Sequence, residues 1–169
     1  MQTKVVLSIG SNVGDSLATL QGAVDGLSEH PEVHLLGVSP VYETDPVGGP
    51  VQDAYLNAIV LAQTTLTARE LLAAIHAIEA AWRRTRQVRW GPRTLDIDII
   101  TFGAIVDDDP NLTLPHPRAA ERAFVLVPWL DLDASATLPG FGAIAGLSLV
   151  RDVLGVRRLG PDRCLRLPM

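Results

Sequence analysis

The stretch TLDIDIITF, residues 94–102, decides how the chain folds. It alternates and is rich in β-branched residues, so it reads as the fourth strand of a sheet, placed centrally in it. On a strand, residues two apart share a face. Asp96 and Asp98 therefore project together, roughly 6 to 7 Å apart, while Leu95, Ile97 and Ile99 turn to the core. Burying an unpaired carboxylate is costly, and two at this spacing repel by about 2 to 3 kcal/mol at an effective dielectric of about 20. Something must receive them. A divalent cation would reverse the sign, and carboxylate oxygens completed by phosphate oxygens are what Mg²⁺ takes in nucleotide chemistry. An ion network with Arg93 or Arg89 would serve as well, and spacing alone does not separate the two.

Working upstream, the segment AAWRRTRQVRWGPR crowds Arg83, Arg84, Arg86, Arg89 and Arg93 into eleven residues, whereas Lys4 is the only lysine of a chain with net charge −5. A cationic patch built from arginine alone on an acidic protein points to planar, bidentate recognition of phosphate or carboxylate. Phosphoryl transfer uses cations of both kinds, metal and guanidinium. Gly91 and Pro92 suit a loop that could close over a triphosphate, and Trp90 in its middle argues against a merely solvated charge run.

The patch ends a helix that opens at a Thr67-x-x-Glu70 capping box and carries Leu71, Ile75, Ile78 and Trp82 on one face. Before it come a strand at YLNAIVLAQ (55–63), a turn-rich loop ETDPVGGPVQDA (43–54) long enough to be a lid, and a strand over 33–42. The N-terminal KVVLSI (4–9) reads as strand, and Leu17, Leu20, Val24 and Leu27 keep helical spacing after the turn GSNVGDS. That turn lacks the lysine of a phosphate-binding P-loop, so Asp15 is expected to cap the helix instead. Downstream, DDDPNLTLPHPRAAERAF is turn-like and sets His116 between two prolines near Arg118 and Arg122. FVLVPWL is apolar, and LSLVRDVL (147–154) suggests a last short helix. The order describes one α+β domain over residues 1–169, a ferredoxin-like layered fold whose mostly antiparallel sheet is flanked by helices.

With 169 residues and 47% apolar content the chain can bury a real core. Its apolar runs fall short of the roughly 18 residues of a membrane span, and MQTKVVLSIG lacks the pattern of a signal peptide, so a cytoplasmic protein is expected. The single cysteine, Cys164, allows no internal disulfide. His30 and His34 straddle Pro31 and make a poor zinc pair.

The segments YETDPVG (42–48), YLNAIV (55–60), RWGPRTLDIDI (89–99) and LTLPHP (112–117) followed by RAFVLVP (122–128) resemble, in this order and spacing, the 6-hydroxymethyl-7,8-dihydropterin pyrophosphokinase family. The resemblance implies Mg²⁺-dependent transfer of a pyrophosphoryl group from ATP to the pterin's hydroxymethyl group, giving AMP and the dihydropterin methyl diphosphate, a step toward tetrahydrofolate. It implies two Mg²⁺ ions on Asp96 and Asp98, and catalytic arginines at Arg84 and Arg93. The nucleotide would be met by His76, Glu79, Arg84, Arg86, Trp90, Arg93, Ile99, Leu112, Thr113, His116 and Arg122. The pterin would be met by Thr44, Pro46, Val47, Tyr55, Asn57, Trp90, Asp96 and Phe124. Two positions depart from the family's pattern. Arg83 stands where a glycine is usual, and Arg84 is taken as the loop arginine because it starts an Arg-x-Arg spacing; His76 stands where a glutamine is common. The partners implied are these small molecules, with no nucleic acid or membrane, and a monomer is expected. Two other readings rest on the residues: a nucleotide-sugar transferase using the DxD pair, and a non-enzymatic RNA-binding domain using the basic loop and its tryptophan.

Overall fold

The computed structural model describes residues 2–12, 15–44, 55–85, 95–147 and 156–168, and of residues 83–85 the backbone alone. Strand β1 (Thr3–Ser11) lies between β4 (Tyr55–Thr64) and β5 (Asp96–Phe102), antiparallel to both. β2 (Val33–Val38) and β3 (Tyr42–Thr44) follow one another along the far edge of β4, and the C-terminal β8 (Val156–Arg158) adds to β3. Helices α1 (Ser16–Glu29) and α2 (Ala68–Thr85) cover one face, where Leu20, Val24, Leu27, Leu71 and Ile75 meet Val5, Leu7 and Ile9 of β1. Helix α3 (Ala123–Leu132) covers the other, packing Val125, Leu126 and Trp129 on Val6, Ile59 and Ile100. A small hairpin of β6 (Thr137–Leu138) and β7 (Gly142–Ala143) follows α3. The result is the expected α+β fold, a mostly antiparallel sheet flanked by helices.

The local signals act as read. Asp15 Oδ1 accepts from the Ala18 N–H at 3.1 Å and caps α1. At the start of α2, Thr67 N–H donates to Glu70 Oε1 at 2.9 Å and Glu70 N–H to Thr67 Oγ1 at 3.1 Å, both halves of a capping box. The Thr67 N–H, and after it the Thr67 hydroxyl, hold the Glu70 carboxyl below its ordinary pKa.

Two expectations need correction, and the apolar segment FVLVPWL gains its element. The strand expected over 33–42 is broken at Ser39, which bonds Ile59 through both its N–H and its Oγ, and Pro40 then removes a ladder donor. The apolar FVLVPWL lies within helix α3, which accommodates Pro128 inside it. Strand β5 is an edge strand, not a central one. Its apolar run reflects burial on both faces, by α2 and by α3, while its outer edge is met by side chain and loop. Glu79 Oε2 accepts from the Ile97 N–H at 2.9 Å, and the His116 N–H donates to the Ile100 carbonyl at 2.8 Å. The helix expected at 147–154 lies, beyond Leu147, outside the described residues, as does most of the 43–54 loop.

Between α1 and α2, Gly22 faces the Trp82 ring. A β-carbon on Gly22 would stand 1.9 Å from Trp82 Cζ2. Gly22→Ala is therefore expected to destabilise by about 1 to 3 kcal/mol through overpacking, read by urea denaturation, and Trp82→Leu in the same chain to recover part of the loss.

Candidate active site

The antiparallel registers align one residue from each of five strands. Asp96 lies opposite Gly10, Gly10 opposite Asn57, Asn57 opposite Tyr42, and Tyr42 opposite Arg158. Cross-strand partners share a face, and the Tyr42 hydroxyl donates to Asp131 of α3 at 2.6 Å, so the row looks toward α3. Asp98 is opposite Ser8 in the next row on the same face, and both aspartates are half-buried. With strands spaced about 4.8 Å, Asn57 sits about 10 Å across the sheet from Asp96.

Gly10 is what opens this face. A β-carbon there would come 2.8 Å from Asn57 Oδ1, so the amide can lie over the glycine only because no side chain is present. Asn57 is 4% exposed, and its Nδ2 donates to Thr44 Oγ1 at 2.9 Å. That bond orients the amide with its carbonyl oxygen over Gly10. Tyr55, two residues before Asn57, shares the face.

His116 enters from the loop beyond β5, after a cis Leu114–Pro115 bond. Burial pulls its pKa below the ordinary imidazole value; Asp98 pulls the other way, and Arg122 and Arg118 add to the lowering. Burial thus favours the neutral ring. Its Nδ1 accepts from the Arg118 N–H at 3.2 Å, which puts the ring proton on Nε2. At the start of α3 the Arg122 guanidinium stands 5.5 Å over the Phe124 ring, a cation–π contact.

Thr44, Tyr55, Asn57, Asp96 and Asp98 therefore share one sheet face, with His116, Arg122 and Phe124 on the segments that border it. Other expected residues are placed differently. His76 is exposed on α2, and Ile99 is a core residue that can offer a ligand only its main chain. Glu79 is 7% exposed and holds the β5 edge. Leu112 packs on the core, and Thr113 Oγ1 donates to the Asp109 carbonyl at 2.9 Å. Pro46, Val47, Arg86, Trp90 and Arg93, with the Arg84 side chain, lie outside the described residues. Gly10 and Ser8 were not anticipated as site residues; β1 runs on to Ser11, so Gly10 lies inside the strand rather than in the turn expected there. Among the described residues no three His, Cys, Asp or Glu side chains gather into a metal cluster, and no helix is long and apolar enough to cross a membrane.

Comparison with known proteins gives a consistent result. The family model for 7,8-dihydro-6-hydroxymethylpterin-pyrophosphokinase matches residues 6–134. The chain is 38% identical over 159 residues to the 2-amino-4-hydroxy-6-hydroxymethyldihydropteridine pyrophosphokinase of Pseudomonas aeruginosa, covering 94% of this chain and 98% of that one. It is 48% identical over 147 residues to the protein of the same name from Mycobacterium leprae, covering 80% and 75%. Among solved structures, Plasmodium falciparum HPPK-DHPS A437G with pteroate superposes with a TM-score of 0.76 at 14% identity, over 97% of this chain and 45% of that one. That likeness bears on the fold, and the chain spans about half the length of these fused proteins.

The neighbours of His116 set a titration that can be checked. Asp98 raises its pKa, so in metal-free protein Asp98→Asn is expected to move the His116 midpoint further down, followed by NMR of the imidazole protons. Because the folded value is depressed, the stability linked to neutral His116 is complete above the ordinary imidazole value and is lost as pH falls through the folded one.

Proposed function

The chain belongs to the 7,8-dihydro-6-hydroxymethylpterin-pyrophosphokinase family, enzymes of folate biosynthesis, and on that footing we propose that it carries the pyrophosphoryl group of ATP to 6-hydroxymethyl-7,8-dihydropterin. The hydroxymethyl oxygen attacks the β-phosphorus, the bond to the bridging α,β oxygen breaks, and AMP leaves. The observation that carries this reading is the row Asp96, Gly10, Asn57, with one carboxylate at its end, Asp98 in the row beside it, and a fixed amide at the other.

The residues fit a hard cation. Two half-buried carboxylates on one strand face supply oxygen alone, and with no third His, Cys, Asp or Glu gathered beside them among the described residues, positions remain for phosphate oxygens and water. This is how Mg²⁺ is usually held. When bound, Mg²⁺ would draw charge from the phosphates and ease departure of AMP. We take the two ions expected from the resemblance to share Asp96 and Asp98.

The other roles follow the chemistry of each group. Neutral His116 offers an Nε2 proton to a phosphate oxygen, and Arg122 a guanidinium beside it. Arg84, Arg86 and Arg93 are assigned to the phosphates by their motif, with Trp90 between nucleotide and pterin. Leu112, Thr113, His76, Glu79 and the Ile99 main chain are assigned to the nucleotide side. On the acceptor side, Asn57 Oδ1 would receive N–H donors of the pterin ring, with Thr44 holding it in place. Tyr55 and Phe124 offer aromatic faces to a flat heterocycle, and Pro46 and Val47 are assigned there by motif.

Incubating the protein with ATP, Mg²⁺ and 6-hydroxymethyl-7,8-dihydropterin should yield AMP only when the pterin is present, identified by chromatography; ADP as product would overturn the reading. Asp96→Asn and Asp98→Asn should each cost about a hundredfold or more in turnover while the far-ultraviolet circular dichroism is unchanged. Arg84→Ala should cost about a thousandfold if it acts as the transition-state arginine, and Arg83→Ala much less; the reverse order would move the catalytic role to Arg83.

A further inference from the structure

The row that carries Asp96 and Asn57 does not stop at the site. Beyond Asn57 it continues through Tyr42 on β3 to Arg158 on β8, and both of these end on one carboxylate, Asp131 of α3. The Tyr42 hydroxyl donates to Asp131 Oδ2 at 2.6 Å, and Arg158 Nη1 stands 3.4 Å from the same oxygen. We infer that Tyr42, Asp131 and Arg158 form a clamp that positions the acceptor side of the site, and that the C-terminal strand β8 serves the reaction by closing it. This rests on the acceptor assignment proposed above.

Two connections lead from the clamp to the site. Along β3, Thr44 follows Tyr42 on the same face and takes the Asn57 amide in its hydroxyl. Wherever Tyr42 is held, Thr44 and Asn57 are held with it. Along α3, Asp131 lies seven residues after Phe124, two helical turns on and therefore on the same side of the helix. Fixing Asp131 to the sheet fixes the helix whose first turn presents Phe124, with Arg122 just before it.

The clamp is also where the sheet most needs one. β3 and β8 are three residues each, a length that backbone pairing alone holds poorly. Cross-strand side chains must supply the rest. On the far face Glu43 pairs with Arg157 at 2.8 Å, largely in solvent. On the near face Tyr42 is 7% exposed, and burial together with its bond to Asp131 pushes its hydroxyl up to about 12, so it remains a donor throughout the physiological range.

The test compares Tyr42→Phe and Arg158→Met with Glu43→Gln, which loosens the same two strands from their opposite face. Dissociation constants are measured for 6-hydroxymethyl-7,8-dihydropterin and for a non-hydrolysable ATP analogue with Mg²⁺, beside the side-chain amide resonances of Asn57 and amide exchange at Thr44. Weakening of the pterin by about tenfold in the two clamp variants, with ATP-analogue affinity kept, Glu43→Gln unaffected, and Asn57 and Thr44 perturbed, supports the clamp. Equal loss of both ligands, or a lowered melting temperature with pterin affinity intact, makes the cluster a support of the fold alone and overturns it. So does an equal effect of Glu43→Gln. If the unaltered protein binds no dihydropterin, the acceptor assignment falls, and the clamp is then judged by Asn57 and Thr44: unchanged signals in Tyr42→Phe overturn it, and faster exchange sustains it.

Discussion

The pairing register of β1 is the constraint on which everything else depends. β4 and β5 pair with its two edges, so the alignment of Gly10 with both Asn57 and Asp96 decides what shares a face with what. Side chains alternate with a period of two. A slip of one residue in β5 would send Asp96 and Asp98 into the core beneath α2 and expose Ile97 and Ile99 instead. Burying two carboxylates and exposing two isoleucines are both unfavourable, and together they exclude a slip by one residue. The acidic pair that the chemistry needs is thus also what keeps the strand in place.

Much of this was legible where the signal is local. Alternation around Asp96 and Asp98 gave their common face, Asp15 and the Thr67/Glu70 pair announced their helices, and the spacing of Leu71 and Ile75 gave the buried side of α2. What the sequence did not disclose depends on partners far along the chain. The position of β5 at the edge follows from where Glu79 and His116 fall, eighteen and sixteen residues or so from the groups they bond. The break at Ser39 rests on its bonds to Ile59. Helix α3 is apolar nearly all round and contains a proline, so it has little periodicity to read. Of the site, the carboxylates and the arginine patch could be argued from charge and spacing, whereas the pterin residues came only through resemblance. Gly10 escaped because it reads as the first residue of the turn GSNVGDS, whereas β1 runs on to Ser11.

The electrostatics of the site are arranged around opposed charges at short range. Asp98 and the guanidinium of Arg122 both act on His116, in opposite senses, and burial tips the balance toward the neutral ring. A neutral imidazole beside arginine adds a directed N–H without adding to the positive charge that the guanidinium groups already bring. The positive charge of the site is left to groups that do not titrate near neutrality.

The bond from Ile97 to Glu79 has a consequence outside the site altogether. An outer strand of seven residues, apolar for most of its length, is a template to which another chain could add by backbone pairing. Glu79 occupies the Ile97 donor with its buried carboxyl, and the His116 loop occupies the Ile100 acceptor. An incoming strand would have to displace both. The side chain that braces the strand between its two aspartates thus also occupies a backbone donor that an added strand would need.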